Sequence, residues 1–238
     1  MNFELLSEDN KFSKAEKIYG SMIARNFELM IKDLESKGKI NPKRVKEHRD
    51  KKRMFNFTNQ SALHINFLDG IVRIPEERQK FLVTNKEIKS DLLDEIWFDS
   101  LVVMTLRNYW SIEMGLITLL KGVQYGNKQS TIVVGRENLG ELRDHILNRL
   151  GYSKYVDWDG IDVDFRNQLA HGWFYRKKRN FVFFNNAKLK NGKNLTEKQL
   201  LYKCRLVQLN ALVISALVGN WNELTDFGSK DPLKKSNP

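Results

Sequence analysis

A single cysteine, Cys204, among 238 residues excludes an internal disulfide and fits a reducing compartment. Prolines number four and glycines fourteen. That is little punctuation for a chain built of many short strands, so long helices are expected. The opening MNFELLSEDNKFSK lacks a basic start followed by an apolar run, and no signal peptide is expected. The most apolar stretch, residues 97–122, is interrupted by Asp99, Arg107, Glu113 and Lys121. A bilayer span needs about 20 predominantly apolar residues, so a cytoplasmic protein with no membrane partner is expected. Four histidines (His48, His64, His145 and His171) and one cysteine show no metal-ligand spacing, and no metal or cofactor is expected. DWDGID mimics a calcium loop, but placing Gly160 at the obligatory glycine puts Tyr155 and Arg166 where carboxylate ligands belong. GRENLGE lacks the Lys-Ser/Thr of a phosphate loop, and no Gly-x-Ser-x-Gly elbow is present.

What the chain does have is positive charge. Forty Lys and Arg against 29 Asp and Glu leave +11, with a pI near 9.6. That balance points to a polyanionic partner, with simple solubility as the alternative. Hydrophobic content of 41% and aromatic content of 11% are those of a globular protein. The run Lys43–Arg53, KRVKEHRDKKR, reads as a solvated basic helix or arm, or as a phosphate contact.

Helix signals are clear at several places. Ser13 and Glu16 form a capping box ahead of an apolar face carrying Ile18, Met22, Ile23, Phe27, Met30, Ile31 and Leu34. Thr84 and Glu87 form a second box, opening a long helix towards Gly126. Leu106, Tyr109, Glu113, Leu116, Ile117 and Leu120 share one stripe of it, which sets Glu113 among apolar neighbours where a charge needs a partner. A shorter helix closes at Gly151, and residues 157–171 read as another, with acids at its start and Gly172 as its stop. WFYRKKRNFVFF predicts a hairpin around a basic turn, and a box at Thr196 and Gln199 opens the last helix. Its Leu200, Cys204, Val207, Ala211, Ile214, Val218 and Trp221 alternate in steps of four and three as a packing seam, within the subunit or between subunits. The expected fold is all-α: a helical bundle with long helices and a small β-hairpin insertion. The expected organisation is a helical extension over 1–83, the bundle over 84–226 and a tail over 227–238.

The chemistry concentrates in DFRNQLAHGWFY, residues 164–175. Cleaving RNA without a metal takes a proton acceptor for the ribose 2′-OH, a proton donor for the leaving oxygen, and a cation for the phosphorane. Histidine suits both proton roles near neutrality, and the arginine fork matches phosphate oxygens. Arg166 and His171 could supply these, or could be a surface residue and a histidine facing a helix C-terminus. The string Arg-Asn-x-x-Ala-His-Gly in a helical chain resembles the HEPN family, whose signature is Arg, four to six residues, then His, often with a polar residue directly after the Arg. The resemblance implies a metal-independent endoribonuclease, a homodimer with the motifs meeting at a cleft, and a setting such as toxin–antitoxin or phage defence, with RNA and a cognate antitoxin as partners. Carried over, Arg166 and His171 are the catalytic pair and Asn167 the supporting polar residue. One subfamily carries a modified tyrosine two positions after the histidine; here that position is Trp173 and the nearest tyrosine is Tyr175. Glu113 is a candidate carboxylate to orient Arg166, or a structural partner of another basic residue. Arg176, Lys177, Lys178 and Arg179 are candidates to receive the RNA backbone. The aspartates between Asp157 and Asp164 run against this, since they would repel phosphate unless turned aside. A non-catalytic HEPN-like module binding RNA, nucleotide or protein is the competing expectation.

Overall fold

A computed structural model describes residues 12–40, 90–126, 137–177, 180–184 and 192–227. They are mostly helical, with one small antiparallel sheet. In chain order the elements are α1 (Lys14–Ser36), α2 (Ser90–Gly126), α3 (Leu139–Glu141), a π-helical stretch (Leu142–Leu147), α4 (Asn148–Leu150), a 3-10 turn (Ser153–Tyr155), α5 (Trp158–Ile161), α6 (Val163–Ala170), β1 (Phe174–Lys177), β2 (Asn180–Phe183), β3 (Lys193–Thr196) and α7 (Glu197–Phe227). The expected box at Thr84 and Glu87, the basic run Lys43–Arg53 and the C-terminal tail lie outside the described residues.

Two capping boxes form as the sequence predicts. Ser13 N–H donates to Glu16 Oε2 at 2.7 Å and Glu16 N–H to Ser13 Oγ at 3.3 Å. Thr196 N–H donates to Gln199 Oε1 at 2.9 Å and Gln199 N–H to Thr196 Oγ1 at 3.3 Å. Each satisfies amides that a helix start leaves orphaned. A third box, Asn138 with Glu141, starts α3.

Two compact units draw alternately on the chain. The first comprises Met1–Gly20, Ala62–Ile112 and Asp157–Leu212. In it α2 buries Trp97, Phe98, Leu101, Met104 and Tyr109, while α7 buries Leu200, Cys204, Val207 and Leu209. Burial pushes the Cys204 thiol up to about 12, so it stays protonated, as a core residue rather than a nucleophile. Glu16 holds Arg205 at 2.6 Å in this unit. Burial alone would raise the Glu16 pKa, but the bonds from Arg205 and Ser13 keep it below the usual carboxylate range.

The sheet also belongs to the first unit. Its order is β1-β2-β3, with Tyr175 opposite Val182 and Val182 opposite Asn194. The expected hairpin is therefore present and is extended by a third strand. KNLT, which becomes β3, has only Leu195 buried, too weak an alternation to announce a strand. One face packs against helices: Phe98 stacks on Phe181 at 4.6 Å and meets Phe174 edge-on at 5.2 Å, and Phe165 meets Phe183 at 5.3 Å.

The second unit comprises Ser21–Ser61, Glu113–Val156 and Val213–Pro238. Its core holds Phe27, Met30 and Leu34 of α1, Leu116, Leu119 and Leu120 of α2, and Val213, Ile214 and Leu217 of α7. Ile18 and Met22 of α1, expected on the buried face, are 63% and 48% exposed. Each stands one position before a residue of the inward stripe, about 100° around the helix. In the region expected as one short helix, Leu142–Leu147 is π-helical between α3 and α4.

The segment Glu197–Val218 has the length and a mean hydropathy of 1.4 that suit a membrane crossing by composition, and 61% of it is buried within the protein. A core helix has the same composition.

Residues 157–171 are not one helix. Asp157 caps α5, and a left-handed residue, Asp162, separates α5 from α6. Asp157 Oδ1 accepts from Gly160 N–H at 3.2 Å, while Oδ2 accepts from the Tyr19 hydroxyl and from Asn210 Nδ2 at 2.9 Å. Gly160 is buried where these groups converge. A Cβ there would collide with the Asp157 carboxylate and the Tyr19 hydroxyl and lie 2.8 Å from Asn210 Nδ2. Gly160→Ala is expected to destabilise the protein by about 1–3 kcal/mol, the cost of overpacking a tight site. Urea unfolding checks this; an unchanged midpoint would mean the three partners yield freely.

Candidate functional site

The site is assembled from the first unit, along the segment that turns from α5 through α6 into β1. Its starting point is Asp162, at φ 49° and ψ 81°, the one non-glycine with positive φ among the described residues. That conformation disfavours most side chains, although Asp tolerates it better because its short carboxylate bonds locally. Here Asp162 Oδ1 accepts the Phe165 N–H at 2.9 Å, capping α6, and Oδ2 accepts from the Lys203 ammonium. Its carbonyl accepts from the Tyr109 hydroxyl at 2.9 Å. Tyr109 is buried, and that burial holds its hydroxyl protonated, well above the ordinary tyrosine range. Thus α2 and α7 together fix the point where α6 begins.

The helix that follows is short, and its face toward the protein is set by Val163, Phe165 and Leu169. Arg166, Asn167 and Gln168 are half-buried. Arg166 donates through Nη1 to Asn167 Oδ1 at 3.3 Å. The Asn167 carbonyl accepts the His171 N–H at 3.0 Å. Asn167 therefore touches both motif ends, one through its side chain and one through its backbone.

The end of α6 is a left-handed glycine cap, as the sequence predicts. Gly172 has φ 64°, its N–H donates to the Leu169 carbonyl at 3.3 Å, and Trp173 N–H donates to Gln168 at 2.9 Å. This paired arrangement closes the last carbonyls and turns the chain out of the helix. His171 is the cap residue, at φ −98° and ψ 1°, and is exposed. Its ring stacks on Trp173 with centroids 4.7 Å apart and 24° between planes.

Arg166, Asn167 and His171 are thus gathered in one unit on one helix and its cap. An ideal helix sets positions five apart about 140° around its axis, and His171 stands beyond the last helical residue. Arg176 and Lys177 lie on β1, whereas Lys178 and Arg179 fall outside the described residues. Glu113 is half-buried on α2 and falls in the second unit. Among the described residues no group of three or more His, Cys, Asp or Glu is placed to hold a metal ion.

Two contributors escape the sequence. Trp173 takes the histidine ring, a role that Trp next to His-Gly could have suggested. The anchoring of Asp162 by Tyr109 and Lys203 joins residues 53 and 41 positions away, and no local pattern carries it. The aspartates that seemed to oppose phosphate divide by environment. Asp157 and Asp162 are spent on helix caps, a tyrosine, an amide and a lysine; Asp159 and Asp164 are exposed.

No protein-family model, curated protein or solved structure matches the chain.

Asp162→Ala removes the cap, strands Lys203 and leaves a β-carbon residue at positive φ, so it is expected to cost about 1–3 kcal/mol. Asp162→Asn keeps a capping oxygen and a tolerance for that backbone, and is expected to cost less. Denaturation midpoints together with hydrogen exchange at the Phe165 amide check the order. Equal stability of the two variants would remove Asp162 from its anchoring role.

Proposed function

We propose that the chain is a metal-independent endoribonuclease of the HEPN type. One observation carries the reading: RNQLAH occupies a helix whose closure leaves the His171 ring exposed, while Asn167 accepts a hydrogen bond from Arg166. An exposed imidazole and a guanidinium carried by one short helix and its cap are the group types that phosphodiester cleavage requires.

In this reaction a histidine takes the 2′-OH proton as the oxygen attacks the adjacent phosphorus. The Arg166 fork stabilises the charge that develops on the non-bridging oxygens. A proton is delivered to the departing 5′-oxygen, leaving a 2′,3′-cyclic phosphate and a 5′-hydroxyl. A single copy contributes one such histidine, and a homodimer would contribute two, one to accept and one to donate. Asn167 holds the Arg166 guanidinium. Arg176 and Lys177, with Lys178 and Arg179, are the proposed backbone contacts, consistent with the net charge of +11. The same proposal includes the helical-bundle family fold, a cytoplasmic setting and a role as a toxin or phage-defence effector restrained by a cognate antitoxin. Glu113 remains a candidate for orienting a basic residue.

The test is cleavage of end-labelled RNA in excess EDTA by wild type, His171→Ala and Arg166→Gln, with folding checked for each. Wild type is expected to cut, and removal of His171 is expected to slow cutting by about 10²–10⁴-fold, the usual contribution of a general acid–base group. Equal cutting by wild type and His171→Ala would overturn the assignment. Binding without cutting across varied RNAs would move the function to a non-catalytic RNA-binding module.

A further inference from the structure

We infer that the edge strand β1 and the cap of α6 form a stacking platform for unpaired nucleobases, so that the substrate is single-stranded RNA rather than duplex. This deepens the nuclease proposal and rests on it for the role of His171.

Strand alternation sorts the side chains. Phe174 faces Phe98 and Phe183 on the packed side of the sheet. Trp173 and Tyr175 must then share the opposite side, because successive residues of a strand alternate faces. The ladder supports this: Phe184 N–H donates to the Trp173 carbonyl at 2.9 Å, and Tyr175 lies opposite Val182. Along this face run the ring of His171, the ring of Trp173 stacked on it, and Tyr175 stacked over Phe184 at 5.8 Å and 28°. Tyr175 is 47% exposed although it is large and aromatic, and β1 is an edge of the sheet. Both neighbours of Tyr175 in this row are held from beneath or beside, so the rings are presented rather than loose.

A row of supported, partly exposed rings beside a basic strand has the chemistry of single-stranded nucleic acid binding. Each base offers a π-face that stacks on an aromatic ring, and the backbone phosphates need cations nearby. Arg176 follows Tyr175 on β1 and by the same alternation falls on the Phe174 side, so it meets a phosphate at the sheet's edge rather than on the ring face. The overall charge makes an anionic strand a better occupant than a basic or a neutral apolar surface. The cleavage chemistry agrees, since 2′-OH attack needs a backbone free to bring the nucleophile in line with the leaving oxygen. A base-paired A-form strand restricts that freedom and keeps its bases stacked on each other.

The experiment measures binding rather than cutting. A fluorescein-labelled 2′-O-methyl oligonucleotide cannot supply the nucleophile, so its affinity reports the platform alone. It is titrated as a single strand and as a blunt duplex, at two salt concentrations, against wild type, Tyr175→Ala, Tyr175→Phe and Arg176→Gln. Wild type is expected to prefer the single strand. Tyr175→Ala is expected to weaken single-strand binding by about 5- to 150-fold, the range for loss of one base–aromatic stack, with its salt slope unchanged. Tyr175→Phe is expected to bind as wild type, and Arg176→Gln to flatten the salt slope. Equal wild-type affinity for both forms, or unaltered single-strand binding by Tyr175→Ala, would overturn the platform. Wild type that binds through Tyr175 but leaves the all-ribose strand uncut would sink the nuclease proposal and leave the platform standing. Cutting with no dependence of binding on Tyr175 would do the reverse.

Discussion

The carboxylate and backbone of Asp162 set the direction in which the chain leaves α5 and enters α6. A left-handed aspartate costs backbone energy, of order 1–3 kcal/mol, and persists only where surroundings determine it. Here the surroundings are specific: Tyr109 on the carbonyl, Lys203 on one carboxylate oxygen, and the Phe165 amide on the other. Five residues earlier, Asp157 is held by Tyr19, Asn210 and the amide of Gly160. The two aspartates pin both ends of a four-residue helix, and the chain direction after it follows. Shifting Asp162 would turn α6, and with α6 would turn Arg166, Asn167 and the exposed ring of His171.

The same bonds ease an electrostatic conflict at two of the four aspartates, while Asp159 and Asp164 stay exposed. A site of the kind proposed should not present a row of carboxylates beside Arg166 and His171. Hydrogen bonds and a lysine neutralise or occupy Asp157 and Asp162, so their charges serve the fold rather than the surface. Beyond α6 the glycine cap turns the chain into an edge strand, where Phe174 lies on the side packed against helices and Tyr175, on the other side, is exposed. Anchor, short helix, cap and strand therefore form one continuous device: the buried side of each element fixes what the other side offers to solvent.

Much of this was legible where the physics is local. The boxes Ser13–Glu16 and Thr196–Gln199, the stop at Gly172 and the hairpin from Phe174 rest on contacts between near neighbours in sequence, and the seam through Cys204 shows in the spacing of its apolar residues. The break at Asp162 was not legible. Residues 157–171 have helical composition throughout, and the partners that force the break are Tyr109, Lys203, Tyr19 and Asn210, supplied by three other helices. Ile18 and Met22 were misplaced for a related reason: apolar character names candidates for burial, but neighbouring elements choose the stripe. Within the site, Arg166, Asn167 and His171 were visible as a motif, whereas the stacking of His171 on Trp173 needed the cap geometry.

The chemical nature of the cut ends tests the central claim most directly. RNA treated with wild-type protein in excess EDTA would be digested partially and its new 3′ ends identified by mass spectrometry. A His/Arg site acting through the 2′-hydroxyl must leave 2′,3′-cyclic phosphate, or the monophosphate formed when that ring opens, opposite a 5′-hydroxyl. New ends carrying a 3′-hydroxyl and a 5′-phosphate would mean that water, not the ribose, attacked phosphorus, and would contradict the mechanism assigned to His171 and Arg166.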